Sequence, residues 1–166
     1  MKQDKVIKQN MDKILTSIYA NDKDRLMEML SCGINIEIED SDGRTPLIYA
    51  VMENKEEMVT MLIDKGVNVN KQDINGYSPL HFASQRYLVS IANILIQFGA
   101  LVDILDNNGN TPLSDAVFYS EGRDEMITLL LSKGANKDLK NNYGISAFDL
   151  AKSISNYDVT QFFNSK

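Results

Sequence analysis

The side chains that first invite a reading as base, nucleophile or acid–base pair in this 166-residue chain are His81, Cys32, Asp115 and Asp149. His81 is the only histidine and Cys32 the only cysteine, short of the three or four nitrogen and sulfur ligands of a zinc site. Cys32 precedes Gly33 and has no histidine or basic neighbour in sequence to lower its pKa, so it reads as an inert thiol. Asp115 and Asp149 lie on successive repeats of the chain at positions that do not correspond, which suits capping or partner contact better than a catalytic pair. The glycines are spaced as helix caps and not gathered into a phosphate loop. No nucleophile, base and orienting group can be assembled, so the expectation is a protein without catalytic activity, metal or cofactor.

Length and composition set the frame. With 43% apolar and 24% charged residues the chain reads as one folded domain. Seventeen basic against 23 acidic residues leave a net charge of −6 and a pI near 4.8, which argues against a nucleic-acid surface. The negative field favours encounter with a basic protein, although it serves solubility equally well. A single cysteine needs no oxidising compartment. The segment Met1 to Lys8 opens with charges and lacks the apolar run of a secretory signal, and the most apolar stretch, Ile91 to Val102, is interrupted by Asn93 and Gln97. The expectation is a cytoplasmic protein with no membrane span, monomeric when free.

The elements that would position any site follow from a repeat. Gly33, Gly66, Gly99 and Gly134 form one ladder with steps of 33, 33 and 35; Gly43, Gly76, Gly109 and Gly144 form a second with the same steps, offset by 10. All three prolines, Pro46, Pro79 and Pro112, fall three residues after a glycine of the second ladder. Asp-x-x-Gly in three copies and Asn-x-x-Gly in the fourth make a turn, and Thr45, Ser78, Thr111 or Ser146 then stands where a hydroxyl caps a helix, with Pro at its first position in three copies. Leu47, Ala50 and Val51 give that helix one apolar face; Met58, Val59, Leu62 and Ile63 give a second helix its stripe before Gly66 ends it. Equivalent stripes recur at Ile91, Ile94, Leu95, Ile96 and at Met126, Ile127, Leu129, Leu130, Leu131. Two short helices cannot bury such faces alone, so the units must stack.

The strings Thr45-Pro-Leu-Ile-Tyr-Ala50, Ser78-Pro-Leu-His-Phe-Ala83 and Thr111-Pro-Leu-Ser-Asp-Ala116 resemble the ankyrin repeat. The resemblance covers nearly the whole chain and implies an all-α solenoid of stacked antiparallel helix pairs joined by β-turn fingers. It divides the chain into a cap at 1–39, full repeats at 40–72, 73–105 and 106–140, and a second cap at 141–166. In the caps, Ile14, Ile18, Leu26 and Leu30 on one side, and Val159, Phe162 and Phe163 on the other, supply the last apolar faces of five helix pairs. In such repeats the imidazole at the His81 position bonds to turn backbone, a structural role.

One irregularity stands out. The third repeat carries two extra residues, in Phe118-Tyr-Ser-Glu-Gly-Arg-Asp124. Insertions in repeats map to loops, often on a binding face; neutral drift in a surface loop, which costs little entropy, explains it as well.

The resemblance further implies that the concave face binds protein, through positions flanking the turn glycine and ending the first helix. These are Ser41, Asp42, Arg44, Met52 and Glu53; Ile74, Asn75, Tyr77, Gln85 and Arg86; Asn107, Asn108, Asn110, Phe118 and Tyr119; and Asn142, Tyr143 and Ile145. Asp115 and Arg123 join them as partner-binding positions. Tyr77, Phe118, Tyr119, Tyr143 and Arg86 are of the types enriched in hot spots, while any one of them, Phe118 above all, can instead pack on a neighbouring repeat. The longer third repeat and the ending Asn141-Asn-Tyr-Gly-Ile-Ser-Ala-Phe-Asp-Leu-Ala151, followed by Ser155-Asn-Tyr-Asp-Val159, look like the ankyrin-type immunity proteins of bacterial toxin systems. That implies a partner that is a basic toxin domain, a nuclease for example, blocked on binding. A general scaffold or regulatory adaptor, including one that binds a host protein, is the alternative.

Overall fold

The computed structural model describes residues 2–163, with side chains from residue 6 onward. Thr45, Ser78 and Thr111 are extended, and their hydroxyls accept the N–H of Ile48, His81 and Ser114 to start helices α3 (Pro46–Met52), α5 (Pro79–Gln85) and α7 (Pro112–Phe118). In this order α1 (Lys2–Ala20) and α2 (Lys23–Ser31) come first, α4 (Glu56–Asp64) follows α3, α6 (Val89–Gln97) follows α5, and α8 (Glu125–Ser132) follows α7. Helix α9 (Ala147–Ser153) starts without proline. Its Ser146 hydroxyl accepts the Asp149 N–H, and the Asp149 carboxylate accepts the Ser146 N–H in return, a reciprocal cap that offsets the lost preorganisation of the ring.

The first helices α1, α3, α5, α7 and α9 pack in one row and α2, α4, α6 and α8 in a second. Leu47, Leu80 and Leu113 are fully buried between them, as are Ala50, Ala83, Ala116 and Ala151, whose small side chains let adjacent helices close up. Met58 and Leu62, Ile91 and Leu95, and Met126 and Leu130 fill the space under the second row. The core is therefore a continuous band and not a ball, as a one-dimensional stack requires.

Both ends differ from the middle. Helix α1 has 19 residues against seven in α3, because the apolar positions Ile7, Met11, Ile14 and Ile18 keep helical spacing back through the charged start of the chain. At the other end, the second member of the expected fifth pair is a five-residue 3-10 helix, Val159–Phe163. The polar residues Ser153, Ser155, Asn156 and Asp158 break the stripe, leaving Val159, Phe162 and Phe163 to make a single apolar turn. Val159 and Phe163 are buried, with the Phe163 ring 5.3 Å from Phe148.

The fingers are turns, not hairpins of strands; among the described residues the β-bridge is one isolated pair, Lys140 and Ser146. In each finger the leading carboxylate or amide oxygen accepts two N–H groups. Asp40 takes those of Asp42 and Arg44, Asp73 those of Asn75 and Tyr77, Asp106 those of Asn108 and Asn110, and Asn141 those of Tyr143 and Ile145. Among the described residues, no helix is long and apolar enough to cross a membrane.

Candidate protein-binding face

The fingers are tied to one another in register. Ile74 N–H donates to the Asp42 carbonyl at 2.9 Å, Asn107 N–H to Asn75 at 3.0 Å and Asn142 N–H to Asn108 at 2.9 Å. The Asn107 and Asn142 side-chain amides add bonds to the carbonyls of Ile74 and Asn107. Gly76 lies so close to the next finger that a Cβ there would stand 2.6 Å from the Asn107 nitrogen. The result is a ribbon of turn tips running along one edge of the first-helix row.

Finger side chains also lie against the first-helix residues Tyr49 and Phe82, whose column continues at Asp115 and Leu150 with the same steps of 33, 33 and 35 as the glycine ladders. The Tyr49 hydroxyl donates to Asp40 at 2.6 Å. The Arg44 guanidinium sits 5.9 Å from the Phe82 ring centre, and the Tyr77 ring meets Phe82 edge-on at 5.8 Å. This column therefore faces the fingers and forms the floor of the concave face. Tyr49, Phe82 and Leu150 are absent from the sequence expectation, although their shared period is visible in the sequence.

His81 and Asp115 show how burial sets the chemistry of that floor. The His81 Nδ1 accepts the Ser78 N–H at 3.1 Å, so the proton resides on Nε2, which donates to the Asn110 carbonyl at 3.3 Å. The imidazole bridges its own helix start to the next finger, the turn-backbone role that the resemblance implies. Burial pushes its pKa down to about 4, which keeps it neutral. Asp115 is 8% exposed, receives one side-chain hydrogen bond, from Gln85 Nε2 at 3.1 Å, and has its pKa driven up to about 7 by burial. Tyr77 is likewise raised, by burial first and then by the charges of Asp115 and Asp106.

The structure sorts the sequence candidates into two groups. Ser41, Glu53, Asn75, Arg86 and Asn108 are exposed, as are Ile74, Phe118, Tyr119, Tyr143 and Ile145; Tyr143 at 73% and Phe118 at 64% are the most open of these. Asp42, Met52 and Gln85 are half-buried on the same side. The others have structural work. Asn107 and Asn142 spend their amides on finger stacking, and Asn110 accepts from Asn141 at 2.7 Å while donating to Asp106 at 3.2 Å. Arg44 is a strut, paired with Asp42 at 3.4 Å and Asp73 at 3.9 Å. Tyr77 packs against both His81 and Phe82, so it is not a freely wet aromatic.

Arg123 is held by its own fold although its side chain stays 46% exposed. Its guanidinium lies 4.0 Å from the centre of the Tyr87 ring and bonds the carbonyls of Ser120 and Tyr119, and its own carbonyl accepts the Tyr87 hydroxyl at 2.8 Å. On the other side of the insertion, Gly122 abuts Tyr157, where a Cβ would be 2.7 Å from the ring. The two extra residues thus form a docked loop between neighbouring repeats. Arg123→Ala is expected to cost about 1 kcal/mol, lowering Tm by about 2–4 °C in thermal unfolding; an unchanged Tm would return Arg123 to the free surface.

Two clefts border the face. One, of about 450 Å³, lies between α1 and the first finger and is lined by Ile7, Met11, Leu15 and Tyr49 among others. The second, of about 310 Å³, is enclosed by Phe118, Leu150, Ile154 and Tyr157. Neither is legible in sequence, because each joins residues from separate repeats.

Helix pairs in register, hydroxyl-capped starts and stacked turn fingers define a repeat scaffold whose exposed product is a protein-binding surface. The family model for ankyrin repeats matches the chain in two overlapping stretches, residues 15–104 and 65–141. The chain belongs to the ankyrin-repeat family. Comparison with curated proteins returned no match.

Proposed function

We propose that the ribbon of fingers and the floor of first helices dock a basic protein, and that this partner is a bacterial toxin domain held inactive in the complex. The observation that carries the reading is chemical. The half-buried Asp42, the exposed Glu53 and the incompletely paired Asp115 put carboxylates on the face beside the exposed aromatics Phe118, Tyr119 and Tyr143, whereas Asp40, Asp73 and Asp106 hold the turns. Aromatic anchors surrounded by complementary charge are the usual energetic centre of an interface. The −6 net charge speeds encounter with a cationic partner. The toxin assignment rests on the strings of the third and final repeats.

The test is growth rescue. Co-expression with a toxin encoded beside the gene is expected to restore growth, and purified partners are expected to co-elute. Toxicity unrelieved with no complex formed would end the immunity reading, and capture of a non-toxin protein on the same face would establish the adaptor instead. Phe118→Ala with Tyr119→Ala is expected to weaken the complex by about 10-fold or more while changing stability by less than about 1 kcal/mol. These two rings meet each other edge-on, 5.0 Å apart, and both are exposed.

A further inference from the structure

The column on the concave floor holds an anomaly. Tyr49, Phe82 and Leu150 show that the position accepts large apolar side chains, yet the third repeat places a carboxylate there with 8% of its surface exposed. A buried carboxylate opposes folding unless paired or fully hydrogen-bonded. Asp115 has one side-chain donor, Gln85, on its Oδ2 atom, and forms no ion pair among the described residues. Arg44, the cation that lies along the same floor, is already engaged with Asp42 and Asp73. A buried carboxylate that its own fold compensates with a single hydrogen bond is a candidate binding group.

We infer that Asp115 is the acceptor for a lysine or arginine side chain of the docked partner, and so sets specificity for a cation at the centre of the face. The inference rests on the docking reading and deepens it. The surroundings suit a cation. Helix α5 contributes the Gln85 amide, the preceding finger contributes the ring of Tyr77, the finger before α7 contributes the Asp106 carboxylate, and α9 presents Leu150 at the matching position. Beyond the end of α7 stand the exposed rings of Phe118 and Tyr119. Aromatic walls and a second carboxylate both favour a guanidinium or ammonium over a neutral or anionic group. Gln85 holds the carboxylate in place from the preceding repeat, leaving Oδ1 for the incoming donor.

The probe is acetyl-Gly-Arg-Gly-amide, with the lysine peptide to separate guanidinium from ammonium and the citrulline peptide as the uncharged control. The side-chain carboxyl carbons are followed by NMR through a pH titration. In the free protein the Asp115 carboxyl titrates near 7. Millimolar cationic peptide is expected to move its resonance and to bring the midpoint below about 6, a tenfold preference for the ionised form. The citrulline peptide should leave it in place, and Asp115→Asn, nearly the same shape, should abolish the response of the face to either cation. Shifts at Phe118 and Tyr119 without movement at Asp115 would overturn the assignment and leave the docking reading intact. No movement anywhere on the face would also overturn it, and the docking reading would then stand or fall on the complex with the toxin.

Discussion

Gly76→Ala is expected to destabilise the protein by about 2–5 kcal/mol, the sum of a left-handed backbone penalty and an overpacked contact. Gly76 has φ +81°, and the added Cβ would stand 2.6 Å from the Asn107 nitrogen and 2.9 Å from the Asp106 carbonyl carbon. Both atoms are backbone, so no flexible side chain can give way. Gly66→Ala is the internal control. Gly66 has φ +84° but nothing within 4 Å of the Cβ position, so it should lose about 1–2 kcal/mol for the backbone alone. Chemical denaturation of both variants separates the two effects, and equal losses would show that the fingers can part freely. Because the clash opens the ladder between the second and third fingers, Gly76→Ala should also weaken partner binding more than its stability loss explains.

Asp115→Leu is expected to stabilise the protein on the order of 2–4 kcal/mol at pH 8, and the gain should vanish in acid. The sign follows from the protons. The Asp115 carboxyl titrates at 3.8 when unfolded and about 7 when folded, so between those values the native state holds the extra proton and stability falls as pH rises. His81 acts in the opposite sense. Its pKa is 6.5 unfolded and about 4 folded, so over that window the unfolded state holds the proton and stability rises with pH. The two contributions nearly cancel from pH 4 to 6.5, and the loss from Asp115 continues alone to about 7. The leucine variant keeps only the histidine contribution, so its Tm should climb from pH 4 to 6.5 and then level. A variant whose Tm tracks the wild type at every pH would mean that Asp115 is not buried. The same substitution should reduce affinity for a basic partner, a stability–function trade of the kind expected where a site retains an unfavourable charge.

The contact positions divide by a rule that sequence does not express. Ile74 and Asn107 occupy equivalent places after the finger aspartate, and Asn75 and Asn108 likewise. Yet the Asn107 amide bonds the Ile74 carbonyl, while Ile74 itself projects into solvent. An amide in a turn tip can serve the neighbour or the partner, and only the distance to the next finger decides. Arg44 and Arg123 follow the same logic. Each reads as a free cation in sequence, and each is consumed by a ring and by polar groups in another repeat or its own loop. Tyr87 adds a cost that the sequence hides, since its φ of +57° places a bulky residue in the left-handed region. Its ring and hydroxyl both hold Arg123 in return.

The chain's own pattern determined the architecture. Turn glycines, hydroxyl caps, helix-opening prolines and apolar stripes act over four or five residues, and their recurrence every 33 to 35 residues leaves stacking as the way to bury the stripes. Tertiary structure decided the rest: the burial of Asp115, the fixed tautomer of His81, the capture of Arg123, and which finger amides remain free. Each depends on a partner about 30 residues away in the adjacent repeat, and local preference carries no information about a distance that only packing sets.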